Sequence, residues 1–124
     1  MILALVDDLM FRSKISAAAK GTGAALGVAT SPEALLERAA AERPSVILVD
    51  LDGQRTEPLE ALRRLAADAR LSDIPTLGFV SHVHGDRIQE ARALGIGEVM
   101  ARGAFSANLP AILGSYEAGP EAPR

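Results

Sequence analysis

The chain contains four short apolar runs in which hydrophobic residues follow one another with little polar alternation. They are rich in branched side chains and comprise Ile2–Val6, Val46–Val49, Thr76–Val80 and Glu98–Ala101. Ala24–Ala29 is a weaker fifth run. Continuous apolar runs of this length predict strands that are buried on both faces, as in a parallel sheet.

Helical patterns occupy the segments between these runs. Ser31, Pro32 and Glu33 read as a helix start, because serine caps the first turn, proline suits its first position and a carboxylate there is favoured by the helix dipole. Asp86, with Gln89 three residues later, is predicted to cap a fourth helix. The predicted helices are Met10–Lys20, a helix from Ser31 to about Glu42, Leu59–Ala69, a helix from Asp86 to just before Gly95, and about Ala107–Tyr116, which Pro110 and Gly114 limit in length.

Strands and helices thus alternate along the whole chain, which predicts an α/β fold with a parallel sheet and helices on both faces. In such folds the functional crevice lies beyond the carboxyl ends of the strands. The residues that follow the predicted strands are Asp7, Asp8, Asp50, Asp52, Ser81, His82 and Arg102. Several carboxylates, a hydroxyl group and a cation are therefore expected to meet at one edge of the sheet.

Converging carboxylates repel one another unless a cation offsets their charge. An all-oxygen site of this kind suits Mg²⁺, which takes one or two protein carboxylates and keeps several waters. A carboxylate such as Asp50 could then attack a phosphoryl group and become an aspartyl phosphate. The metal, the hydroxyl group and the cation would each hold one of the phosphoryl oxygens.

Composition narrows the range of functions. A length of 124 residues suits one domain, and an aromatic content of 3% leaves few stacking surfaces for bases or sugars. The net charge of −3, without a basic run, argues against sequence-independent nucleic-acid binding, which relies on clustered lysine and arginine. Because there is no cysteine, disulfides, thiolate catalysis and cysteine-ligated zinc are excluded. The N-terminal apolar run is too short for a signal peptide and no run spans a membrane, so a cytoplasmic protein is expected.

The constellation resembles the receiver domain of bacterial two-component response regulators, with similarity to the chemotaxis response regulator over about residues 1–116. The resemblance rests on four stretches: the opening apolar strand that ends in Asp7-Asp8, Arg43-Pro44 followed by the strand that ends in Asp50, Ile74-Pro75 followed by the strand that leads to Ser81, and Ala93-Leu94-Gly95 before the fifth strand. It implies a flavodoxin-like, doubly wound sheet of five strands in the order 2-1-3-4-5 with five helices. Residues 117–124 are predicted to be a flexible tail, and their prolines would also suit a linker within a longer regulator.

The resemblance also implies roles for individual residues. Asp50 would accept the phosphoryl group from a histidine kinase or phosphotransfer protein. Asp8, with help from Asp7, would bind Mg²⁺ together with Asp50 and the backbone carbonyl of Asp52. Ser81 would hydrogen-bond the phosphoryl group, and Arg102 would stand where the family has a lysine. The domain itself would be a signalling protein rather than an enzyme, and a downstream protein would dock on the Asp86–Tyr116 face, where Arg87, Arg92 and Arg102 are expected to be exposed; a homodimer is left open.

This chain departs from the receiver pattern at several positions. Arg102-Gly103 replaces a Lys-Pro pair, and arginine is a planar fork rather than a compact ammonium. His82 stands where a small residue is usual, and Val99 stands where an aromatic switch residue is usual. These differences leave metal binding and phosphorylation at Asp50 chemically possible, but they affect the residues of the family's switching mechanism. The alternative within the family is a pseudo-receiver that acts as a docking module without phosphorylation.

Other interpretations fit less well. Asp50 and Asp52 also resemble the nucleophile and general acid/base of haloacid dehalogenase-type phosphatases, but that motif normally opens its fold and too little chain follows it here. A flavodoxin-like cofactor binder would need a small-residue phosphate loop after the first strand, where this chain has Asp7-Asp8. His82 and His84 lack a third ligand for a metal pair and are interpreted as loop residues near the pocket.

Overall fold

The structure is a computed structural model that describes residues 1–81 and 85–118. Five strands form one parallel sheet: β1 (Ile2–Leu5), β2 (Leu26–Ala29), β3 (Val46–Asp50), β4 (Thr76–Val80) and β5 (Glu98–Ala101). The strand order β2-β1-β3-β4-β5 confirms the predicted topology. Asp8, Asp50 and Arg102 follow or end strands that run in the same direction, so their backbones lie along one edge.

Six helices lie within the described residues: α1 (Leu9–Thr22), α2 (Pro32–Glu42), α3 (Pro58–Ala67), α4 (Gly85–Ala93), α5 (Arg102–Ala107) and α6 (Leu109–Ala118). Helices α2, α3 and α4 pack on one face of the sheet, and α1, α5 and α6 pack on the other. Alternate residues of β1 supply the two cores, since Leu3 faces one layer and Ala4 the other. The doubly wound arrangement predicted from the alternation is therefore confirmed.

The local signals at the ends of α1 and α2 act as the sequence indicates. Ser31 accepts a hydrogen bond from the backbone N–H of Ala34 at 3.1 Å, and Pro32 begins α2. Gly23 ends α1 with a φ of 77°, a left-handed conformation that costs glycine little. Gly95 has a φ of 90° after α4, as its position predicted. These ends fix where the chain returns to the sheet.

The predicted single fifth helix, about Ala107–Tyr116, is wrong, because two helices cover this region. Asn108 separates them with a non-helical φ of −115°. Pro110 lies in the first turn of α6, where a missing N–H is tolerated, so it starts a helix rather than limiting one. Gly114 is accommodated inside α6. The helix is described through Ala118, two residues into the segment predicted as a tail, and Ser45 donates a hydrogen bond to Glu117.

A second correction concerns α4. The helix begins at Gly85, so Asp86 lies in its first turn and is not the capping residue. A carboxylate in the first turn is still favoured by the helix dipole. In the part of the chain that the structure describes, no helix is long and apolar enough to span a bilayer.

Candidate functional site

Asp50 is the most deeply buried carboxylate of the candidate site. It is the last residue of β3, and only 2% of its surface is exposed. Its Oδ1 atom accepts a hydrogen bond from the backbone N–H of Asp52 at 3.0 Å. A buried carboxylate needs such partners, because burying a charged group without hydrogen bonds costs free energy.

Asp8 belongs to the neighbouring strand and caps α1. Its Oδ1 atom accepts hydrogen bonds from the backbone N–H groups of Met10 at 3.0 Å and Phe11 at 3.1 Å. The pKa of Asp8 lies below its usual value chiefly because the N–H of Phe11 stabilises the carboxylate; burial opposes this effect, while Met10 and Arg102 add to it. The capping role leaves the other oxygen, Oδ2, to face the pocket.

Arg102 joins three carboxylates that come from two strand ends. Its Nη1 atom donates to Asp50 Oδ1 at 2.9 Å and to Asp52 Oδ2 at 3.1 Å. Its Nη2 atom donates to Asp8 Oδ2 at 3.2 Å and to Asp50 Oδ2 at 3.3 Å. Both oxygens of Asp50 are therefore paired with one guanidinium group, a bidentate geometry that arginine allows and lysine does not.

The pKa of Arg102 is raised although the group is partly desolvated. Burial favours the neutral form, but the hydrogen bond and charge of Asp50, with the charges of Asp52 and Asp8, outweigh it. The side chain of Arg102 is 24% exposed. This cation is thus held in the pocket by charge rather than left in solvent.

Two aromatic rings contact the guanidinium group of Arg102. Its guanidinium carbon lies 4.0 Å from the centroid of the Phe11 ring and 5.3 Å from that of Phe79. Phe79 in turn stacks on Phe105, with ring centroids 4.3 Å apart. These are the three phenylalanines of the chain, so nearly all of its aromatic content lies beneath the pocket. Cation–π contact of this kind orients a guanidinium group as well as attracting it.

Asp52 connects the pocket to the end of β4. Its Oδ2 atom accepts the backbone N–H of Ser81 at 2.9 Å. Ser81 therefore reaches the site through its main chain in this structure. Around these groups lies an open cavity of ≈ 300 Å³, lined by Asp7, Asp8, Asp50, Asp52, Gly53, Gln54, Arg55 and Arg102.

Arg87 of α4 holds the loop that follows Asp50. Its Nη1 atom donates to the carbonyl oxygen of Leu51 and, at 3.2 Å, to that of Gly53. The expectation that Arg87 and Arg102 are exposed cations of a docking face is therefore wrong for both, since their guanidinium groups turn inward. Arg92, on the same helix as Arg87, is exposed as expected.

In the observed arrangement, Arg102 pairs with the carboxylates that were expected to bind Mg²⁺. Within the described ranges, no group of three or more carboxylate or imidazole side chains is placed to hold a metal. The guanidinium group donates to both oxygens of Asp50 and to one oxygen of Asp8, so an ion coordinated by these carboxylates would compete with Arg102 for them. Mg²⁺ requires oxygen ligands at about 2.1 Å in a nearly octahedral set.

Most of the site residues predicted from the sequence lie together in the structure. The structure brings Asp7, Asp8, Asp50, Asp52 and Arg102 to one cavity. His82 and His84 lie outside the described residues. The sequence interpretation missed the phenylalanine support and the Arg87 contact. One signal for the first was present, because Phe11 follows the acidic pair by one helical turn and Phe79 stands two residues before Ser81.

Comparison with known proteins places this geometry in context. No protein-family model matches the sequence, and no curated protein matches it significantly. Solved structures do match. The chain is similar to the chemotaxis response regulator CheY4 of Vibrio cholerae, with 19% identity, a TM-score of 0.78 and coverage of 93% of this chain and 96% of that one.

Two further solved structures are similar to this chain. A response regulator from Hahella chejuensis has 14% identity and a TM-score of 0.83, with 98% of each chain covered. The receiver domain of the sensor histidine kinase PA1611 from Pseudomonas aeruginosa, described with a magnesium ion in its active site cleft, has 18% identity and a TM-score of 0.79, with 93% of this chain and 94% of that one covered. At these identities the likeness establishes the fold, and the chain has the fold of receiver domains.

Proposed function

We propose that this chain is a receiver-type signalling module that accepts a phosphoryl group on Asp50 and passes its signal by protein–protein contact. The observation that carries the proposal is the position of Asp50. It is buried at the carboxyl end of a central strand, and a cavity with Asp8, Asp52 and Arg102 lies in front of it. Ligands of doubly wound sheets bind at this edge.

The chemistry requires one substitution at phosphorus. An oxygen of Asp50 attacks the phosphorus atom of a phosphohistidine on a histidine kinase or phosphotransfer protein; an O–P bond forms, a P–N bond breaks, and the imidazole takes up a proton from water. Arg102 neutralises negative charge on the phosphoryl oxygens after exchanging part of its contact with Asp50 for them. Ser81 adds a hydrogen bond in this proposal, as the receiver resemblance implies.

The roles of Asp7, Asp8, Asp50 and the carbonyl of Asp52 as Mg²⁺ ligands remain part of what that resemblance implies. Support from the comparisons is confined to the neighbour from Pseudomonas, which is described with magnesium. Since Arg102 pairs with these carboxylates in the observed arrangement, the proposed reaction is written with the side chains of this chain alone.

Output is proposed to run through the Asp86–Tyr116 face, in a cytoplasmic setting, to a separate protein or a second copy of the chain. Strand β5 is an edge of the described sheet, and its residues are exposed or half-buried. Tyr116 of α6 packs beside it, and the pKa of its phenol is raised by burial and by the neighbouring carboxylate of Glu98. Arg102 lies at the junction of β5 and α5, so a change at Asp50 can reach this face directly.

A second function is favoured by one observation. Both oxygens of Asp50 are already paired with Arg102, which lowers their availability to an incoming phosphorus atom. A domain in this state can act as a docking module that never undergoes phosphorylation. Its partner contact would then be independent of Asp50.

Intact mass separates these functions. The protein is incubated with acetyl phosphate, with and without Mg²⁺, as wild type and Asp50→Ala. A gain of roughly 80 Da, one phosphoryl group, in the wild type only supports the phosphoacceptor. An unchanged mass in both proteins supports the docking module. Continued hydrolysis of phosphate esters, lost on Asp52→Asn, would instead indicate the phosphatase chemistry of an Asp50–Asp52 pair.

A further inference from the structure

The pocket carries its own cation. Arg102 reaches Asp8, Asp50 and Asp52 with four hydrogen bonds between 2.9 and 3.3 Å. The four bonds take both oxygens of Asp50 and one each from Asp8 and Asp52. The remaining oxygen of Asp8 accepts two backbone N–H groups of α1.

The guanidinium group contacts aromatic rings as well as carboxylates. Its carbon lies over the Phe11 ring at 4.0 Å from the centroid and over the Phe79 ring at 5.3 Å. These rings belong to α1 and β4, and they are packed in the core with 8% and 0% of their surfaces exposed. Contact with these buried rings reduces the conformational freedom that the long side chain of Arg102 would otherwise have in solvent.

A divalent ion coordinated by Asp8 and Asp50 would compete with Arg102 for oxygens that already accept its hydrogen bonds. Carboxylates coordinate Mg²⁺ at about 2.1 Å, closer than the guanidinium nitrogens lie to the same oxygens. A strong bond to the ion is therefore expected to come at the expense of the bonds to the arginine. Release breaks charge-assisted hydrogen bonds in a partly buried site and the contact with Phe11, and this cost is subtracted from the affinity for the ion.

We infer that Arg102 is the resident cation of this pocket and that a divalent ion binds there only by displacing it. The inference rests on the proposed function in taking this cavity as the signalling site. It adds a regulatory consequence. Because Arg102 is the first residue of α5, any ligand that displaces it acts on the junction of β5 and α5.

Removal of Arg102 could also raise the affinity for a cation simply by removing a positive charge. A second arginine of the same cavity provides a control for this explanation. Arg55 lines the same cavity and carries the same charge, yet within the described residues the structure shows no ion pair between it and the carboxylates. Arg55→Ala removes one positive charge and leaves the hydrogen bonds to Asp50 in place. Arg102→Ala removes one positive charge and also the hydrogen bonds to both oxygens of Asp50. A purely Coulombic effect would raise the affinity for cations similarly in both variants.

The test is Mg²⁺ titration by calorimetry on wild type, Arg102→Ala and Arg55→Ala. We expect Arg102→Ala to bind the ion roughly 10-fold more tightly than Arg55→Ala, because the bonds to a charged group no longer have to be broken. A ratio of about threefold or more supports displacement. A smaller ratio overturns it. Circular dichroism first establishes that each variant is folded.

If Arg102→Ala fails to fold, the wild type and Arg102→Lys decide the question. Guanidinium-selective NMR of the wild type should show separate, slowly exchanging Nη proton signals for Arg102. These signals should merge into one averaged signal as the metal site fills. Arg102→Lys, which keeps the charge but not the fork, should bind the ion more tightly than the wild type. Metal binding with unchanged Arg102 signals, or no gain in Arg102→Lys, overturns the inference. Neither readout depends on phosphorylation, so a failed Asp50 adduct and a failed displacement are distinct results.

Discussion

The guanidinium carbon of Arg102 lies 4.0 Å from the centroid of the Phe11 ring, although 91 positions separate the two residues in the chain. We expect this contact to be measurable as a coupling in a double-mutant cycle of Phe11→Leu and Arg102→Lys. Leucine keeps an apolar side chain in the core but removes the π face, and the coupling should be about 0.5–2 kcal/mol. Urea unfolding of the four proteins supplies the free energies. Additive losses would show that the ring acts only by packing.

Arg87 should stabilise the loop after Asp50 more than its partly exposed position suggests. Removing it in Arg87→Ala leaves the carbonyl oxygens of Leu51 and Gly53 without a charged donor, at a cost of about 1.5–3 kcal/mol. Amide hydrogen exchange in residues 51–57 should rise with the loss of stability. Arg92→Ala is the matched control, because Arg92 has the same charge on the same helix and is exposed. Equal losses in the two variants would contradict a specific role for Arg87.

Asp8 should make stability depend on pH near its titration. Its pKa is lowered in the folded protein, chiefly by the N–H of Phe11, so its stabilising effect is fully present above the unfolded value of about 3.9 and is lost as pH falls through the folded pKa. Asp8→Asn keeps a capping side chain but removes the charge, and should lose about 0.3–1 kcal/mol at about pH 7. The difference from wild type should shrink below about pH 4.

Asp7→Asn is the control for that experiment, because it changes the net charge equally at the neighbouring position. Within residues 1–81 and 85–118 the structure shows no hydrogen bond to its carboxylate, so its loss at neutral pH should be smaller. Chemical denaturation at each pH provides the comparison. A loss in Asp7→Asn as large as that in Asp8→Asn would mean that general charge, rather than capping, sets the pH dependence.

Gly97 allows β5 to approach β4 closely. Its N–H donates to Thr76 Oγ1 at 2.8 Å, and an added Cβ would lie 2.8 Å from the backbone oxygen of Thr76. Since a backbone atom cannot rotate away, Gly97→Ala should cost about 1–3 kcal/mol in thermal or urea unfolding. Gly21→Ala is the counterpart within α1, where an added Cβ meets nothing within 4 Å. It should stabilise the protein by about 0.5–1 kcal/mol. A destabilised Gly21→Ala would show that the alanine substitution itself is poorly tolerated in this chain.

Much of the fold follows from local features of the sequence. The buried runs that became β1, β3 and β4 have no polar face, and only a sheet covered on both sides accommodates them. The break at Asn108 could not be foreseen in the same way. A proline and a glycine close together weaken a helix in isolation, but packing of Leu109 and Leu113 against the sheet fixes α6 in the folded chain.

In the candidate site, the positions of the residues could be predicted from the sequence, but the directions of the long side chains could not. Backbone topology alone brings Asp8, Asp50 and Arg102 to one edge, so their proximity could be predicted from the ends of the strands. The direction of a long side chain cannot be, because it depends on partners that lie far away in sequence. Arg87 reads as a surface cation, and Arg102 reads both as the cation of the pocket and as an exposed cation of the docking face. Both turn inward toward oxygen atoms that only the folded structure supplies.

The chain contains one tyrosine and no tryptophan, so fluorescence excited in the tyrosine absorption band arises from Tyr116. That phenol is half-buried beside Glu98 on the face proposed for output. The molecule therefore has a built-in optical label at the place where a partner would arrive. Changes in tyrosine intensity or anisotropy can follow docking in solution without any dye.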